Sequence, residues 1–434
     1  MGWHEGIGQT QQSCTLAPST FMSVTFLSRT CLFFALALCT ETAFSCTDER
    51  IEQLTGDIPA LMSNAKVVGM NVSLICAGER YWQESFGLAN ADSNRKLHID
   101  DLFEAASNGK MITAYLVQIL ANRGVLSLEE EVGDPRLSPA ACGSPTVREL
   151  LSHTAGLSND IMAQTFVTDC EQKGNFSYAG QGYLVIQALL EQKTQMNTDA
   201  LFAREVFEPL GMTATTFASL PPNKLVSGHG DLVLGFVSRR APAEIVKFTG
   251  YSLLASFAAL GISAFLLSRN RTWKLQLLTL FATLVLFLGG AVAILAQIIV
   301  PVAAGNRGND LASTLKTNVT DLSTFVIELL NPSQLDSIRT AELFVPVVEV
   351  NADTYWGSGF GVDKASEPPT VWHWGANPGF QSLVVMEPET GNAVIVLTNT
   401  GGLLDYFSET RGGHNAAKSV ARIALNRNGH WDIN

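Results

Sequence analysis

The sequence FEAASNGKMITAYLVQIL at residues 103–120 places two reactive side chains, Ser107 and Lys110, at the start of an apolar pattern. The apolar residues recur at a spacing of three or four, which is typical of an amphipathic helix with one face on a core. This apolar set comprises Met111, Ile112, Tyr115, Leu116, Ile119 and Leu120. The pattern predicts a buried helix that carries Ser107 in its first turn.

Ser107 and Lys110 have the spacing that brings a hydroxyl and an amine to one face of a helix. The free N–H groups and the positive dipole end of a helix favour an oxyanion that develops there. A lysine desolvated in an apolar pocket loses its proton more readily and can then accept the proton of a serine. The pair therefore predicts a serine nucleophile that is activated by a lysine base.

The same Ser-x-x-Lys spacing occurs elsewhere in the chain, so the spacing alone is a weak indication of catalysis. Ser63 and Lys66 lead into the strand-like run VVGMNVSLI and have no helix behind them. Ser313 and Lys316 precede a predicted helix at Asp321, where a serine more often forms a cap or a turn. The helical context favours the pair in the opening segment.

Composition limits the classes of function that the chain can have. It has 434 residues, of which 47% are hydrophobic, enough for a large core in one or two domains. The net charge of −12 and the lack of a basic run argue against nucleic-acid binding. The sequence contains no HExxH or similar metal-ligand spacing. We therefore expect no metal at the site and no cofactor.

Residues 1–45 have the layout of an N-terminal extension followed by a secretory signal. Arg29 supplies a positive charge, residues 31–39 form an apolar run, and small residues follow up to Ser45. The apolar run is too short to span a bilayer as a helix. We predict a signal peptide that is cleaved near Ser45, with an uncleaved anchor as the alternative.

Two uncharged segments in the middle of the chain predict a transmembrane helical hairpin. Residues 248–267 and 275–300 are each long enough to cross a hydrocarbon core, and only SRNRTWK separates them. Neither segment has a polar face, which argues against two buried core helices. The hairpin at 248–300 would be inserted into one folded domain made of residues 46–247 and 301–434, with the lipid bilayer as a partner.

Connectivity predicts that the folded domain lies on the extracytoplasmic side of the membrane. A hairpin returns the chain to its starting side, and a signal peptide puts that side outside the cytoplasm. An exported compartment permits disulfides, and four cysteines remain after residue 45. Among the three possible pairings, we favour Cys142 with Cys170, because they bracket one segment.

An ordered set of motifs resembles the serine β-lactamase-related hydrolases, nearest to the class C β-lactamase and D-aminopeptidase or esterase group. The resemblance covers the chain from about residue 48 to the C-terminus, with a gap at the predicted hairpin. Beside the Ser-x-x-Lys pair it rests on TVRELLSHTAGL at 146–157, FSYAGQGYLVIQALLE at 176–191, VFEPLGMTATTF at 206–217, AAGNRGNDLASTLKTNVTDLSTF at 303–325 and WHWGANPGF at 372–380.

The resemblance implies roles for individual residues. Ser107 matches the nucleophile, Lys110 its partner, and Tyr178 the residue that assists proton transfer to and from the serine and the leaving group. His373 begins the third motif on the strand that edges the pocket, and the backbone N–H groups of Ser107 and Ala376 would form the oxyanion hole. Further residues expected in the substrate pocket are Gly180, Trp374, Gly375 and Asn377.

Each of these roles has a structural alternative. Tyr178 could be a core aromatic, as Tyr183 is expected to be, and His373 could be a packed strand residue between two tryptophans. His153 is a candidate for the catalytic base, but the resemblance implies that the corresponding histidine is structural. We therefore expect its ring to be hydrogen-bonded in the interior.

The sequence departs from the penicillin-recognising pattern at two positions. The second motif there ends in an asparagine that helps to hold the substrate's amide, whereas this chain has Gly180. His373 replaces the lysine of β-lactamases. Both changes favour an esterase or peptidase that forms an acyl-enzyme on a small-molecule, peptide or ester substrate. The alternatives are a D,D-peptidase or β-lactamase, and a non-enzymatic sensor that becomes acylated at Ser107.

The expected fold class is mixed α/β, with a β-lactamase/transpeptidase-like arrangement. Strand patterns near residues 67–76 and 80–87 precede the Ser107 helix, and others near 381–387 and 393–398 precede a terminal helix at 415–425. The two chain ends would join one antiparallel sheet flanked by helices. Residues from about 120 to 240 would form a helix-rich subdomain over the site.

Overall fold

The computed structural model describes residues 46–229, 309–365, 367–401 and 412–433. The N-terminal extension with the predicted signal peptide and the predicted hairpin at residues 248–300 both lie outside these ranges. Within them, no helix combines the length and the apolar character that a membrane crossing requires.

In the described ranges, most strands lie toward the two ends of the chain, and most helices lie between them. The α-helices are α1 Asp48–Ala65, α2 Gly109–Asn122, α3 Val147–Leu151, α4 Gly180–Thr194, α5 Thr198–Phe202, α6 Glu208–Leu210, α7 Val319–Leu330, α8 Ser337–Glu342 and α9 Gly412–Leu425, with a π-helical turn at Ala203–Phe207 and a 3-10 turn at Pro222–Lys224. The strands are β1 Gly69–Cys76, β2 Glu79–Asn90, β3 Arg95–Lys96, β4 Phe103–Ala106, β5 Leu315–Thr317, β6 Val348–Glu349, β7 Thr354–Trp356, β8 Gly361–Asp363, β9 Thr370–Asn377, β10 Phe380–Glu387 and β11 Asn392–Thr398.

Strands from both ends of the chain form one antiparallel sheet, as the strand patterns predict. Its order is β3-β2-β1-β11-β10-β9-β8-β7-β6, and β1 pairs with β11 in a register that aligns Met70 with Thr398. The strands β4 and β5 form a separate two-stranded sheet. This confirms the mixed α/β class and the antiparallel sheet flanked by helices.

The central sheet is buried on both faces, which explains why its strands are continuously apolar. On β11, Ile395 and Leu397 belong to the core shared with α2, α4 and α7. The alternate residues Val394 and Val396 belong to the core shared with α1 and α9. The opposite directions of successive strand side chains thus place one helical layer on each face of the sheet.

Helix α1 is an element that the strand and helix patterns did not predict. Thr47 caps its start by accepting a hydrogen bond from the Arg50 N–H at 3.2 Å. Gly56 and Pro59 lie inside it and lower its intrinsic helix propensity. Packing of its apolar face against the sheet and α9 offsets that weakness.

Two disulfides link segments that are distant in sequence. Cys142 and Cys170 are joined with their Cα atoms 5.7 Å apart, and Cys46 and Cys76 with theirs 6.0 Å apart. The first bond closes the loop region ahead of α4, and the second ties the start of α1 to the end of β1.

The short sheet of β4 and β5 presses closely against the central sheet. At Gly375 on β9, a Cβ atom would lie 2.2 Å from the Ala105 carbonyl oxygen, so only glycine fits. The Ser382 hydroxyl on β10 donates a hydrogen bond to the same carbonyl at 3.0 Å. This close approach brings the end of β4, which leads into Ser107, to the edge of β9.

Candidate active site

Ser107 lies in a tight turn between β4 and α2. Ala106 has the left-handed backbone angle φ of +51°, an uncommon conformation for a residue with a side chain. Helix α2 begins at Gly109. Ser107 therefore lies just before the helix, whereas the sequence pattern predicted it in the first turn. The Asn108 amide donates to the Ser382 hydroxyl at 2.8 Å and fixes the turn to β10.

Lys110 projects from the first turn of α2 toward the Ser107 hydroxyl. Its Nζ donates a hydrogen bond to Ser107 Oγ at 3.0 Å, and another to the carbonyl oxygen of Ala312. The Nζ also lies 5.1 Å from the ring centroid of Tyr178 and 5.3 Å from that of Tyr183. Lys110 is 1% exposed, and its amine lies over the faces of both rings.

Burial lowers the pKa of Lys110 from 10.5 to about 7. The charged form loses its hydration in this enclosed position, which favours the neutral amine. The negative charge of Asp310 acts in the opposite direction and raises the pKa. A substantial fraction of Lys110 is therefore neutral near pH 7 and able to accept a proton.

The Ala312 carbonyl is a feature of the site that the sequence did not indicate. It accepts a hydrogen bond from Ser107 Oγ at 3.4 Å as well as the one from Lys110. The Ser313 N–H donates to the Asp310 carboxylate at 2.6 Å and stabilises the turn that presents this carbonyl. A backbone oxygen carries no side-chain signature, so only the fold reveals it.

Tyr178 is held in place because its two neighbours in the chain are hydrogen-bonded to His153. The Ser177 N–H donates to the His153 carbonyl at 2.9 Å, and the Ala179 N–H donates to His153 Nδ1 at 3.1 Å. The rings of His153 and Tyr178 have centroids 4.3 Å apart, and Trp374 stacks on Tyr178 at 6.2 Å. These contacts place the Tyr178 ring beside the Lys110 amine.

His153 fits the structural role that the family pattern implies. It is buried, and burial, together with the charge of Lys110, holds its pKa well below 6.5. The ring is therefore neutral at physiological pH and can accept the Ala179 hydrogen bond at Nδ1. Protonation would remove that acceptor and loosen the backbone next to Tyr178.

His373 lies on β9 and is also buried and neutral. Burial and the charge of Lys110 lower its pKa to about 3. Its Nδ1–H donates to the carbonyl of Trp374 at 2.7 Å, which leaves the lone pair on Nε2. Within the described part of the chain, Nε2 has no hydrogen-bond partner. The site thus has a neutral acceptor where β-lactamases carry a lysine.

The other residues expected in the pocket lie on the same strand but differ in their contacts. Trp374 is 7% exposed and packs behind Tyr178, whereas Ala376 is partly exposed at the sheet edge. The Asn377 amide donates to the Glu104 carboxylate at 2.6 Å and to the Ser313 carbonyl at 3.1 Å. Asn377 therefore joins β9 to β4 and to the turn that carries Ala312.

Gly180 forms the first residue of α4, directly after the Tyr178 segment. Its N–H donates to the side-chain oxygen of Asn159 at 3.0 Å. A Cβ atom at this position would lie 2.4 Å from Ile161 Cγ2 and 2.9 Å from Asn159 Oδ1. The loop ahead of α4 occupies the space that a side chain at position 180 would need.

The competing Ser-x-x-Lys pairs have other surroundings. Ser63 is exposed near the end of α1, and Lys66 is its left-handed C-cap. Lys316 lies on β5, and its Nζ donates to the Phe217 carbonyl at 3.3 Å. Asn318, not Ser313, caps α7. Neither pair shows the direct lysine-to-serine hydrogen bond that links Lys110 to Ser107.

Curated relatives match parts of the chain. Penicillin-binding protein 4* of Bacillus subtilis is 28% identical over 160 residues, which are 32% of this chain and 35% of that protein. Penicillin-binding protein 4 of Amycolatopsis lactamdurans is 27% identical over 174 residues, or 35% of this chain and 45% of that protein. The matches thus span less than half of the length of these relatives.

Solved structures share the fold at low sequence identity. The D-amino acid amidase of Ochrobactrum anthropi SV3 superposes with a TM-score of 0.61 at 19% identity, covering 86% of this chain and 99% of that one. The octameric penicillin-binding protein homologue of Pyrococcus abyssi gives a TM-score of 0.60 at 16% identity, covering 88% and 78%. These similarities show a β-lactamase/transpeptidase fold.

The family model described as Beta-lactamase matches residues 54–417. The match includes the Ser107 turn, the Tyr178 segment and β9, and it spans most of the chain. The protein belongs to the β-lactamase family.

Proposed function

We propose that the protein is an exported, membrane-tethered serine hydrolase that forms an acyl-enzyme at Ser107 with an ester or amide substrate. The hydrogen bond of 3.0 Å between the buried Lys110 amine and Ser107 Oγ carries the proposal. A lysine whose pKa is about 7 can act as a base at neutral pH.

Acylation would begin with the transfer of the Ser107 proton to neutral Lys110. Ser107 Oγ attacks the substrate carbonyl carbon and forms a tetrahedral intermediate with a negatively charged oxygen. The backbone N–H groups of Ser107 and Ala376 are the proposed donors to that oxyanion. When the intermediate collapses, the bond to the leaving group breaks, and the proton passes from Lys110 through the Tyr178 hydroxyl to the departing atom.

Deacylation would follow the same path in reverse with water as the nucleophile. The base formed by Lys110 and Tyr178 takes a proton from water, and the resulting hydroxide attacks the acyl carbon. The second tetrahedral intermediate releases the carboxylic acid and returns the proton to Ser107 Oγ. The cycle needs no group beyond this chain, the substrate and water.

The lack of a positive charge at position 373 favours uncharged esters and amides over substrates with a carboxylate beside the scissile bond. His373 carries no positive charge near pH 7, because its pKa is lowered to about 3. The fold shared with D-amino acid amidase keeps small amides among the proposed substrates. Turnover profiles across p-nitrophenyl esters, D-amino amides and β-lactams would rank these classes.

A D,D-peptidase or β-lactamase is the second candidate, and the relatives named as penicillin-binding proteins favour it. Hydrolysis of nitrocefin or of D-Ala-D-Ala peptides at rates above those for simple esters would support it. A sensor acylated at Ser107 is a third possibility. An acyl adduct that persists for hours without hydrolysis would identify that role.

The disulfides and the N-terminal sequence support export, and two uncharged segments support membrane tethering. Two disulfides are typical of proteins from oxidising compartments. Residues 248–267 and 275–300 are uncharged and long enough to cross a bilayer. Residues 1–45 have the layout of an N-terminal extension followed by a secretory signal.

Membrane tethering can be tested by alkaline carbonate washing of membranes that contain the full chain. We expect the wild-type protein to stay in the membrane pellet and to retain its disulfides. A variant with a Gly-Ser linker in place of residues 248–300 should be released into the supernatant. Release of the wild-type protein by the wash would contradict the tether.

Replacement of the nucleophile tests the catalytic assignment. Ser107→Ala should abolish ester hydrolysis and covalent labelling by a fluorophosphonate, because no other hydroxyl is hydrogen-bonded to Lys110 in the described ranges. Ser63→Ala is the matched control, since Ser63 belongs to a competing motif and is exposed. Ser63→Ala should keep wild-type labelling. Labelling that survives in Ser107→Ala would show that the assignment is wrong, and its loss in Ser63→Ala would point to the competing motif.

The pH dependence of the reaction should report the state of Lys110. Because the neutral amine is the base, kcat/KM for p-nitrophenyl acetate should fall about tenfold per pH unit below pH 7. Asp310→Asn removes the charge that raises the pKa of Lys110, so the fall should begin at a lower pH. Asp57→Asn, which removes an exposed carboxylate on α1, should leave the profile unchanged.

The direction of the shift decides this test. A profile of Asp310→Asn that moves to higher pH, or that coincides with the wild-type profile, would contradict the role of Lys110 as the base. The Asn variant can still accept the Ser313 N–H bond, so the turn that carries Ala312 is preserved.

A further inference from the structure

The loop Ser158–Asp160 is fastened to the first turn of α4. The Gly180 N–H donates to Asn159 Oδ1 at 3.0 Å, and the Gln181 N–H donates to the Ser158 carbonyl at 3.3 Å. The Gln181 side chain accepts from the Ser158 N–H at 3.2 Å and donates to the Asp160 carbonyl at 2.9 Å. These bonds supply the helix cap that Ala179, the N-cap residue of α4, cannot provide.

Asn159 is thereby placed next to the groups around Ser107. Its Oδ1 lies 2.9 Å from the point where a side chain at Gly180 would begin, and Ala312 Cβ lies 3.6 Å from the same point. The Ala312 carbonyl accepts hydrogen bonds from both Ser107 and Lys110. The Asn159 carboxamide therefore lies close to the turn of Ala312, whose carbonyl contacts both the proposed nucleophile and the proposed base.

The hydrogen bond from Gly180 fixes which way the carboxamide is turned. Because Oδ1 accepts the N–H, the amide nitrogen Nδ2 keeps two hydrogens to donate. Asn159 is exposed, and no group in the described ranges accepts a hydrogen bond from its Nδ2. Within the described residues, Asn159 therefore offers a hydrogen-bond donor without a protein acceptor next to Gly180, two residues after Tyr178.

We propose that Asn159 is a specificity-determining residue whose Nδ2 donates a hydrogen bond to the acyl part of the bound substrate. The inference rests on the proposed acyl-enzyme function and names the preferred substrate class. Acyl groups with a carbonyl acceptor near the scissile bond, such as acylamino acyl groups, gain this bond. Plain alkanoyl groups of the same length do not.

Asn159→Asp separates substrate binding from helix capping. An aspartate keeps an acceptor for the Gly180 N–H and places a negative charge at the start of α4, which favours the helix. It has no hydrogens to donate at physiological pH. The variant therefore preserves the cap and removes the donor, whereas Asn159→Ala removes both.

The experiment compares kcat/KM for two p-nitrophenyl esters of matched length, the N-acetylglycyl ester and the pentanoyl ester. In Asn159→Asp and in Asn159→Ala, the ratio of the first value to the second should fall about tenfold relative to wild type, as expected for one hydrogen bond. Asn197→Asp is the matched control, because Asn197 caps α5 through its side chain and is exposed. Its ratio should equal that of the wild type.

A wild-type ratio in Asn159→Asp would overturn the inference, and a loss confined to Asn159→Ala would show that the residue is only a helix cap. Thermal unfolding of each variant separates a folding defect from a change in specificity, and the ratio itself is insensitive to the fraction of active enzyme. If the wild-type protein neither hydrolyses the esters nor reacts with a fluorophosphonate, the proposed function fails instead.

Discussion

The site depends on an amine that the fold removes from water. Lys110 is 1% exposed, and its amine lies between the rings of Tyr178 and Tyr183. Enclosing an ammonium in this way is unfavourable, and the protein offsets part of the cost with the Ala312 carbonyl and the charge of Asp310. These interactions offset only part of the cost of burying the charge, and the pKa of Lys110 is therefore lowered.

Much of the surrounding architecture serves to keep that amine enclosed and aligned. Gly375 lets β4 approach β9, and the left-handed Ala106 turns the chain so that Ser107 faces Lys110. Asn377 connects both strands to the turn that carries Ala312. These contacts fix the backbone around Ser107 and Lys110 without involving either side chain.

The two departures from the penicillin-recognising pattern have a common physical consequence. A neutral His373 removes a positive charge from the sheet edge, and Gly180 removes a side-chain amide from the start of α4. The Asn159 carboxamide reaches Gly180 from a different loop. These differences are the basis of the proposed preference for uncharged hydrogen-bonding substrates.

The sequence predicted the parts of the fold that have local signatures. The strands at both ends, α2 and the terminal helix follow from apolar spacing, and the order of the motifs selected Ser107 among competing serines. It did not predict α1, since Gly56 and Pro59 weaken its local signal and tertiary packing stabilises it. It also missed Ala312 and Asn159, because a backbone carbonyl and a loop amide acquire their roles only through long-range contacts.

The state of the Lys110 amine is the most direct test of this mechanism. Lysine labelled with ¹³C at the ε carbon can be titrated by NMR, and the Lys110 signal is assigned by its loss in Lys110→Met. A midpoint near pH 7 would show that burial supplies a neutral base at physiological pH. A midpoint near the ordinary value of 10.5 would contradict the proposed activation of Ser107.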